Sequence, residues 1–530
     1  MKICVLANSL LRHKAPAFIG IVGVTILLVM ACEFFSELVV GPAPLEPRFA
    51  CTRSKDKDAL TIFAYGGSTV VGKLMPEWGF IEQLRHTLVD RLEGQKLHLC
   101  NLAVAGQDST SVLLDVKRTI DYRPDMLIVF SGHNEFIKRE FDIAEVRGLR
   151  EWAASLSTVR ALNRLRRNLN RRPRRNSPSA MPRSLKGYDR NGADFRARVR
   201  RYDANMASIV RLAKEADIPL ALGTLPANLR DWPPAFKTLD PASGGVENEE
   251  LVTGLLRNVF EGRYMEAIAA QRELSSRDSQ SAIASYVKAR LLLAKGAKSA
   301  RNRLVHAKDT DPIPWRALSQ FNEQIRRLAS GKDDGVFLID VERIFANAAD
   351  DGVPGFELVA DNCHPTAYGN YIITRELLRV IYESGILDFD EHKTLRVYDL
   401  AEFDAFLVSL NNLAGLKMDY RLKNARYCMK VPFYNFAAAR MYLLQARQHD
   451  ASDWRISANL GALALLEGDV REGKAEVRRS LQEGATPHDL LDRKHVPYMR
   501  EALAHVGLGL SDFTNTNTNE TASSPNEQMP

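Results

Sequence analysis

None of the six cysteines in this 530-residue chain belongs to a CxxC pair, so no zinc framework can be read from them. Histidines and carboxylates are not clustered at metal-ligand spacing either, and neither a metal nor another cofactor is expected. Charge of one sign is scarce: 72 Lys+Arg against 65 Asp+Glu leave +7, a mild basicity that does not argue for nucleic acid. Arginines crowd only between residues 146 and 201, where aromatics are too few for a base-stacking surface. Nucleic acid is therefore not an expected partner. Of the cysteines, Cys4, Cys32, Cys51, Cys100, Cys363 and Cys428, two pairings are open in an oxidising compartment, Cys51 with Cys100 or Cys363 with Cys428. Free buried thiols are the alternative.

A chain of this length exceeds one typical core, and its 45% hydrophobic residues suffice for two or three domains. Lys2, Arg12 and Lys14 precede an apolar run over about 17–35, long enough to cross a bilayer as one helix. Basic residues on the N-terminal side predict a signal anchor over 1–40 in a bacterial inner membrane, with the body in the periplasm. A competing reading takes Val29-Met30-Ala31-Cys32 as a lipobox, but Met30 is atypical there and apolar residues continue to Val40.

After a proline-rich linker, apolar runs at 60–65, 98–104, 126–131, 219–225 and 336–341 alternate with helical stretches such as 80–92 and 202–216. That rhythm predicts a doubly wound parallel sheet of five strands, with ligands outside the strand C-termini. Two segments interrupt it. The arginine-rich insertion at 146–201 reads as a solvated loop or as a contact for anionic lipid or acidic polymer. The stretch 247–331 is helical, and Ala300, Leu304, Ala307 and Pro312 show small-large-small-proline spacing like tetratricopeptide helix pairs. The region 386–510 repeats the theme at Gly461, Ala464, Gly468 and Val477, where generic helical hairpins are an equal reading. Residues 511–530 are low-complexity and read as a disordered tail.

Chemistry is expected at the strand ends. The first strand runs into Gly66-Gly67-Ser68-Thr69, where glycines allow a turn that lifts Ser68 clear of the sheet. The second ends at Gly106, whose backbone N–H can face the crevice. The third ends at Gly132, and Asn134 two residues on supplies an amide donor that suits an oxyanion. His133 and Glu135 flank it, lining the mouth or simply making the loop polar. Far downstream, Asp361 and His364 stand three residues apart, with Pro365 favourable at a helix's first position. Singly each is a turn glycine, a loop cap or a surface histidine; in this order they are the parts of a hydrolytic site.

With these residues the chain resembles the SGNH (GDSL-like) hydrolase superfamily, in its exported bacterial subset with a membrane anchor and tetratricopeptide-like repeats. The resemblance covers about 58–232 and 333–385, and implies a flavodoxin-like doubly wound parallel sheet. It implies Ser68 as nucleophile, His364 as general base oriented by Asp361, and an oxyanion hole of Ser68, Gly106 and Asn134. The usual Gly-Asp-Ser reads Gly66-Gly67-Ser68 here, so no substrate carries over from better-known members. The stretch 226–233, PANLRDWP, looks familiar from the same subset but suggests no chemistry.

The expected activity is a membrane-anchored, periplasm-facing serine esterase or deacylase that acts on O-acetylated envelope polysaccharide or on lipid. An O-acyltransferase would use the same three residues. A reading of another class is an envelope scaffold that binds protein partners through its helical repeats.

Overall fold

The computed structural model describes residues 47–53, 59–73, 76–89, 96–137, 187–235, 254–259, 263–277, 281–331, 335–387, 413–429 and 435–514. The anchor over 1–40 lies outside them, as do most of the arginine-rich insertion and the tail beyond 514. The chain divides into two units, residues 1–53 with 138–180 and residues 54–137 with 181–530. Of the first, only the 3-10 helix Pro47–Arg53 is described.

The second unit is built on five parallel strands: β1 Leu60–Gly66, β2 Leu97–Asn101, β3 Met126–Phe130, β4 Leu220–Gly223 and β5 Val336–Ile339. Their order is β2-β1-β3-β4-β5, the flavodoxin-like arrangement. β1 and β3 are central and covered on both faces, which is why LTIFAYG and MLIVF are nearly unbroken apolar runs. Helices α1 (Phe80–Val89) and α9 (Ala367–Glu383) pack together, as do α2 (Ser109–Thr119) and α7 (Ser319–Leu328), each against α3 (Ala193–Glu215). Direction along the sheet reverses between β1 and β3, so the crevice for a ligand opens at their C-terminal ends.

The insertion between β4 and β5 is helical: α4 (Tyr264–Arg277), α5 (Ala282–Leu293) and α6 (Ala300–Asp309) form hairpins around Leu255, Tyr286, Val287 and Leu304. α8 (Val341–Ala348) follows β5. Beyond α9 come α10 (Leu413–Cys428), α11 (Phe436–Arg447), α12 (Trp454–Leu466) and α13 (Val470–Gln482). Glycines let α12 and α13 approach closely. A Cβ at Gly461 would lie 2.7 Å from Val477 Cγ2, and one at Gly473 2.5 Å from Leu465 Cδ2.

Two local expectations need correction. Pro365 is not the first residue of a helix: it pairs with Val359 in an isolated antiparallel bridge, and α9 begins after Thr366, whose hydroxyl accepts the Gly369 N–H. The tail starts later than 511, because Ser511–Thr514 form a helical turn with Phe513 buried. Among the cysteine readings left open, free buried thiols hold for Cys363 and Cys428, while Cys51 and Cys100 are each in a disulfide.

Candidate active site

Ser68 opens a one-turn helix, Ser68–Val71, directly after β1. The turn depends on close approach, because a Cβ at Gly66 would lie 2.3 Å from the Phe130 carbonyl oxygen on β3. Being first in its helix, Ser68 has a backbone N–H with no intrahelical acceptor. Gly106, in the turn after β2, adopts φ +83 and has open space where a Cβ would stand. Its glycine thus serves the left-handed backbone of the turn and not a crowded neighbour. Among the described residues, the N–H groups of Ser68 and Gly106 have no hydrogen-bond acceptor.

Asn134 follows β3 and is buried. Its Nδ2 donates to the Gln107 carbonyl at 2.8 Å, which ties the ends of β2 and β3 and leaves the second amide hydrogen free to donate. A Cβ at Gly67 would lie only 2.5 Å from that nitrogen. Glu135 is buried too, accepting from the Ser109 N–H (2.7 Å) and hydroxyl (3.0 Å). Burial, with Asp108 adding to it, pushes its carboxyl up to about 7.

The loop 358–366 carries the imidazole. Asp361 Oδ1 accepts the backbone N–H groups of Cys363 (2.9 Å) and His364 (2.8 Å), a turn the carboxylate makes with its own backbone. That turn explains the three-residue spacing, since it brings the other oxygen, Oδ2, to 2.6 Å from His364 Nδ1. His364 Nε2 lies 2.7 Å from Ser68 Oγ. Burial acts to raise the Asp361 carboxyl, but His364, the Cys363 N–H and the Lys73 ammonium together hold it below the usual carboxylate range. It is 0% exposed, His364 3% and Ser68 8%.

Asp361, Cys363 and His364 are also close enough to ligate one metal ion. Their chemistry fits poorly: carboxylate and imidazole already bond each other, and burial pushes the Cys363 thiol well up, so it stays protonated.

Several residues that hold this site have little local signature in the chain. Asn228, in PANLRDWP, is 0% exposed; its N–H donates to the Asn362 carbonyl and its Nδ2 to the Val359 carbonyl, so this stretch splints the catalytic loop. Arg316, from the segment after α6, donates to the carbonyls of Asn228 (2.9 Å) and Trp232 (2.7 Å). Asn362 Nδ2 donates to the Trp315 carbonyl at 2.9 Å. From α10, the Tyr427 ring stands edge-on to His364 at 6.3 Å, with the Lys73 ammonium 4.5 Å above it. From α11, the Tyr442 hydroxyl donates to the Ala360 carbonyl. The Asn228 motif could have been picked out by its Asx-type composition; the others have no local signature.

No family model and no curated protein matches the chain. Among solved structures, a mutant of an acetyl-xylooligosaccharide esterase from Geobacillus aligns at 12% identity and TM-score 0.29, over 62% of this chain and 97% of that one. An alpha/beta hydrolase enzyme from the metagenome of Lake Arreo, Spain, aligns at 13% and 0.28, over 62% and 96%. At these values neither likeness bears on what the site does.

Proposed function

We propose that the chain is a serine ester hydrolase of the SGNH type that works through an acyl-enzyme on Ser68. The observation that carries this reading is the continuous relay Ser68–His364–Asp361, at 2.7 and 2.6 Å, together with the Ser68 and Gly106 N–H groups at the neighbouring strand ends, which have no acceptor among the described residues. A scaffold has no use for such an arrangement.

In the proposed reaction Ser68 Oγ attacks the ester carbonyl as His364 Nε2 takes its proton, and Asp361 stabilises the imidazolium formed. The N–H groups of Ser68 and Gly106 and the free Nδ2–H of Asn134 receive the oxyanion, each worth roughly 3 kcal/mol in the transition state. Collapse expels the alcohol, which takes the proton back from His364. Water then enters by the same route and releases the acid, regenerating Ser68.

Carboxylic esters of envelope polysaccharide or lipid are the proposed substrates, and a periplasmic body held by the anchor over 17–35 is the proposed setting. Among the described residues no helix is long and apolar enough to cross a membrane. A reporter fused after residue 45 tests the topology, and a cytoplasmic readout would overturn it.

The chemistry is tested by intact-mass spectrometry after treatment with a fluorophosphonate. One adduct on the wild-type chain, absent from Ser68→Ala, is the expected result. Labelling that persists in Ser68→Ala, or none in the folded wild type, would overturn the assignment.

A further inference from the structure

The turn that presents the nucleophile also carries a charge that takes no part in the bond-making above. Lys73 closes that turn, its backbone N–H donating to the Ser68 carbonyl at 2.9 Å. Its side chain is half-buried, and the ammonium stands 4.5 Å above the centre of the Tyr427 ring, which in turn meets the His364 imidazole edge-on at 6.3 Å. A single ring therefore separates this cation from the general base. Among the described residues the ammonium has no hydrogen-bond or carboxylate partner. Asp361 cannot serve as one, being 0% exposed and already bonded to His364. A half-buried ammonium resting on an aromatic face keeps its three N–H donors for an acceptor that comes from outside.

The chemistry decides which part of an ester this charge would meet. The carbonyl oxygen must face the donors at the strand ends, whereas the leaving oxygen must face His364 Nε2, which returns the proton to it. Lys73 is joined to the histidine side through Tyr427, so its charge falls on the alcohol part of the substrate. We propose that Lys73 determines specificity, selecting esters whose alcohol part carries a carboxylate, as in an acylated acidic sugar unit. This rests on the serine-esterase reading and narrows its substrates to acidic carbohydrate. An anionic diacyl phospholipid would bring a second alkyl chain to the same side, where the Tyr427 face that could receive it is covered by the ammonium.

Three matched acetates test it: meta-acetoxybenzoate, its neutral amide, and the meta-trimethylammonium analogue. For each, kcat/KM is measured with wild type, Lys73→Met, Lys73→Arg and Lys73→Glu. Ratios between substrates are the readout, because Lys73 also supports the charge on Asp361 and its loss should slow every ester. The benzoate-to-amide ratio should fall about 10-fold in Lys73→Met, the attraction of one ion pair at a partly screened site, and stay within about threefold of wild type in Lys73→Arg. Lys73→Glu should shift the preference to the trimethylammonium ester, which a merely structural lysine would not do. In wild type, raising salt to about 1 M, where the reach of a charge shrinks to about 3 Å, should bring the ratio towards that of Lys73→Met. The carbohydrate assignment is read from wild type on a mono-O-acetylated methyl glucuronoside and on dihexanoyl phosphatidylglycerol, with the glycoside expected to be the better substrate. Ratios that do not differ between wild type and Lys73→Met, no change of preference in Lys73→Glu, or faster cleavage of the phospholipid would each overturn the proposal. A folded wild type that neither cleaves any ester nor takes the fluorophosphonate would instead bring down the esterase reading, and this inference with it.

Discussion

Gly67→Ala is the smallest change that should disable the site. Gly67 has φ −90 and ψ −154, an extended conformation open to alanine, so the substitution brings no backbone strain. Its methyl, however, would lie 2.5 Å from Asn134 Nδ2 and 3.5 Å from the Gln107 carbonyl oxygen. Since that nitrogen is already held against the same carbonyl at 2.8 Å, the amide can yield only by turning out of the site. One oxyanion donor is then lost, about 3 kcal/mol of transition-state stabilisation, or roughly 100- to 1,000-fold in kcat. KM should change little, because the donor meets charge that exists only in the transition state. The assay is p-nitrophenyl acetate turnover by wild type, Gly67→Ala, Asn134→Ala and the double variant. The double variant should be no slower than Asn134→Ala, since the methyl displaces a group already gone. Near-normal kcat in Gly67→Ala, or losses that simply multiply, would refute the reasoning.

Other expectations concern stability. Glu135 has its pKa raised from 4.5 to about 7, so the folded state keeps a proton that the unfolded state sheds between those values. The group's contribution therefore falls as pH rises, reaching a cost of about 3 kcal/mol above pH 7. Glu135→Gln, whose carbonyl oxygen can still accept the Ser109 N–H while its NH2 donates to the Ser109 hydroxyl oxygen, should match wild type in urea unfolding near pH 4 and gain about 2 kcal/mol or more by pH 8; a pH-independent difference would show that the carboxyl is not held protonated. Gly461→Ala should lower the thermal midpoint despite about 1 kcal/mol of gained helix propensity, because the added Cβ also meets the Val477 backbone nitrogen at 3.1 Å. A raised midpoint would mean that α12 and α13 can part without loss.

The sheet was legible because buried parallel strands leave contiguous apolar runs, and each run here ends in glycine or a small polar residue where the backbone must turn. Strand ends were less so: β2 stops at Asn101, though the N–H groups of Leu102 and Val104 still donate to Ala64 and Gly66. The serine, glycine and asparagine stood out because each sits a few residues past a strand end, and His364 because a carboxylate stands three residues before it. The Asp361–His364 spacing is local for a physical reason, being one turn closed by a carboxylate on its own backbone. Pro365 misled because proline suits a helix start and a bridge residue alike, and only the Thr366 cap decides between them.

What the sequence hid is the part played by the helical regions. They read as appendages because their patterns are complete in themselves, each hairpin burying its own apolar face. Yet the carbonyl of Ala360, between Val359 and Asp361, receives a phenol from α11, and Asn362 is held by Asn228 and by the Trp315 carbonyl. Trp232, Trp315, Leu422, Tyr427 and Tyr442 share one buried cluster, so the insertion and the C-terminal helices pack together, and Tyr442 and Tyr427 of that cluster reach the catalytic loop at Ala360 and His364. A loop that must keep His364 within hydrogen-bond reach of Ser68 cannot be fixed by its own turn alone, because Asp361 sets the ring against the loop and nothing in the loop sets it against β1. The splint at Asn228, clamped by Arg316 from the insertion, supplies that second reference. The helices therefore belong to the geometry of the site, and contacts of this kind, made by residues 47 to 131 positions apart, leave no periodic trace for a sequence reading to find.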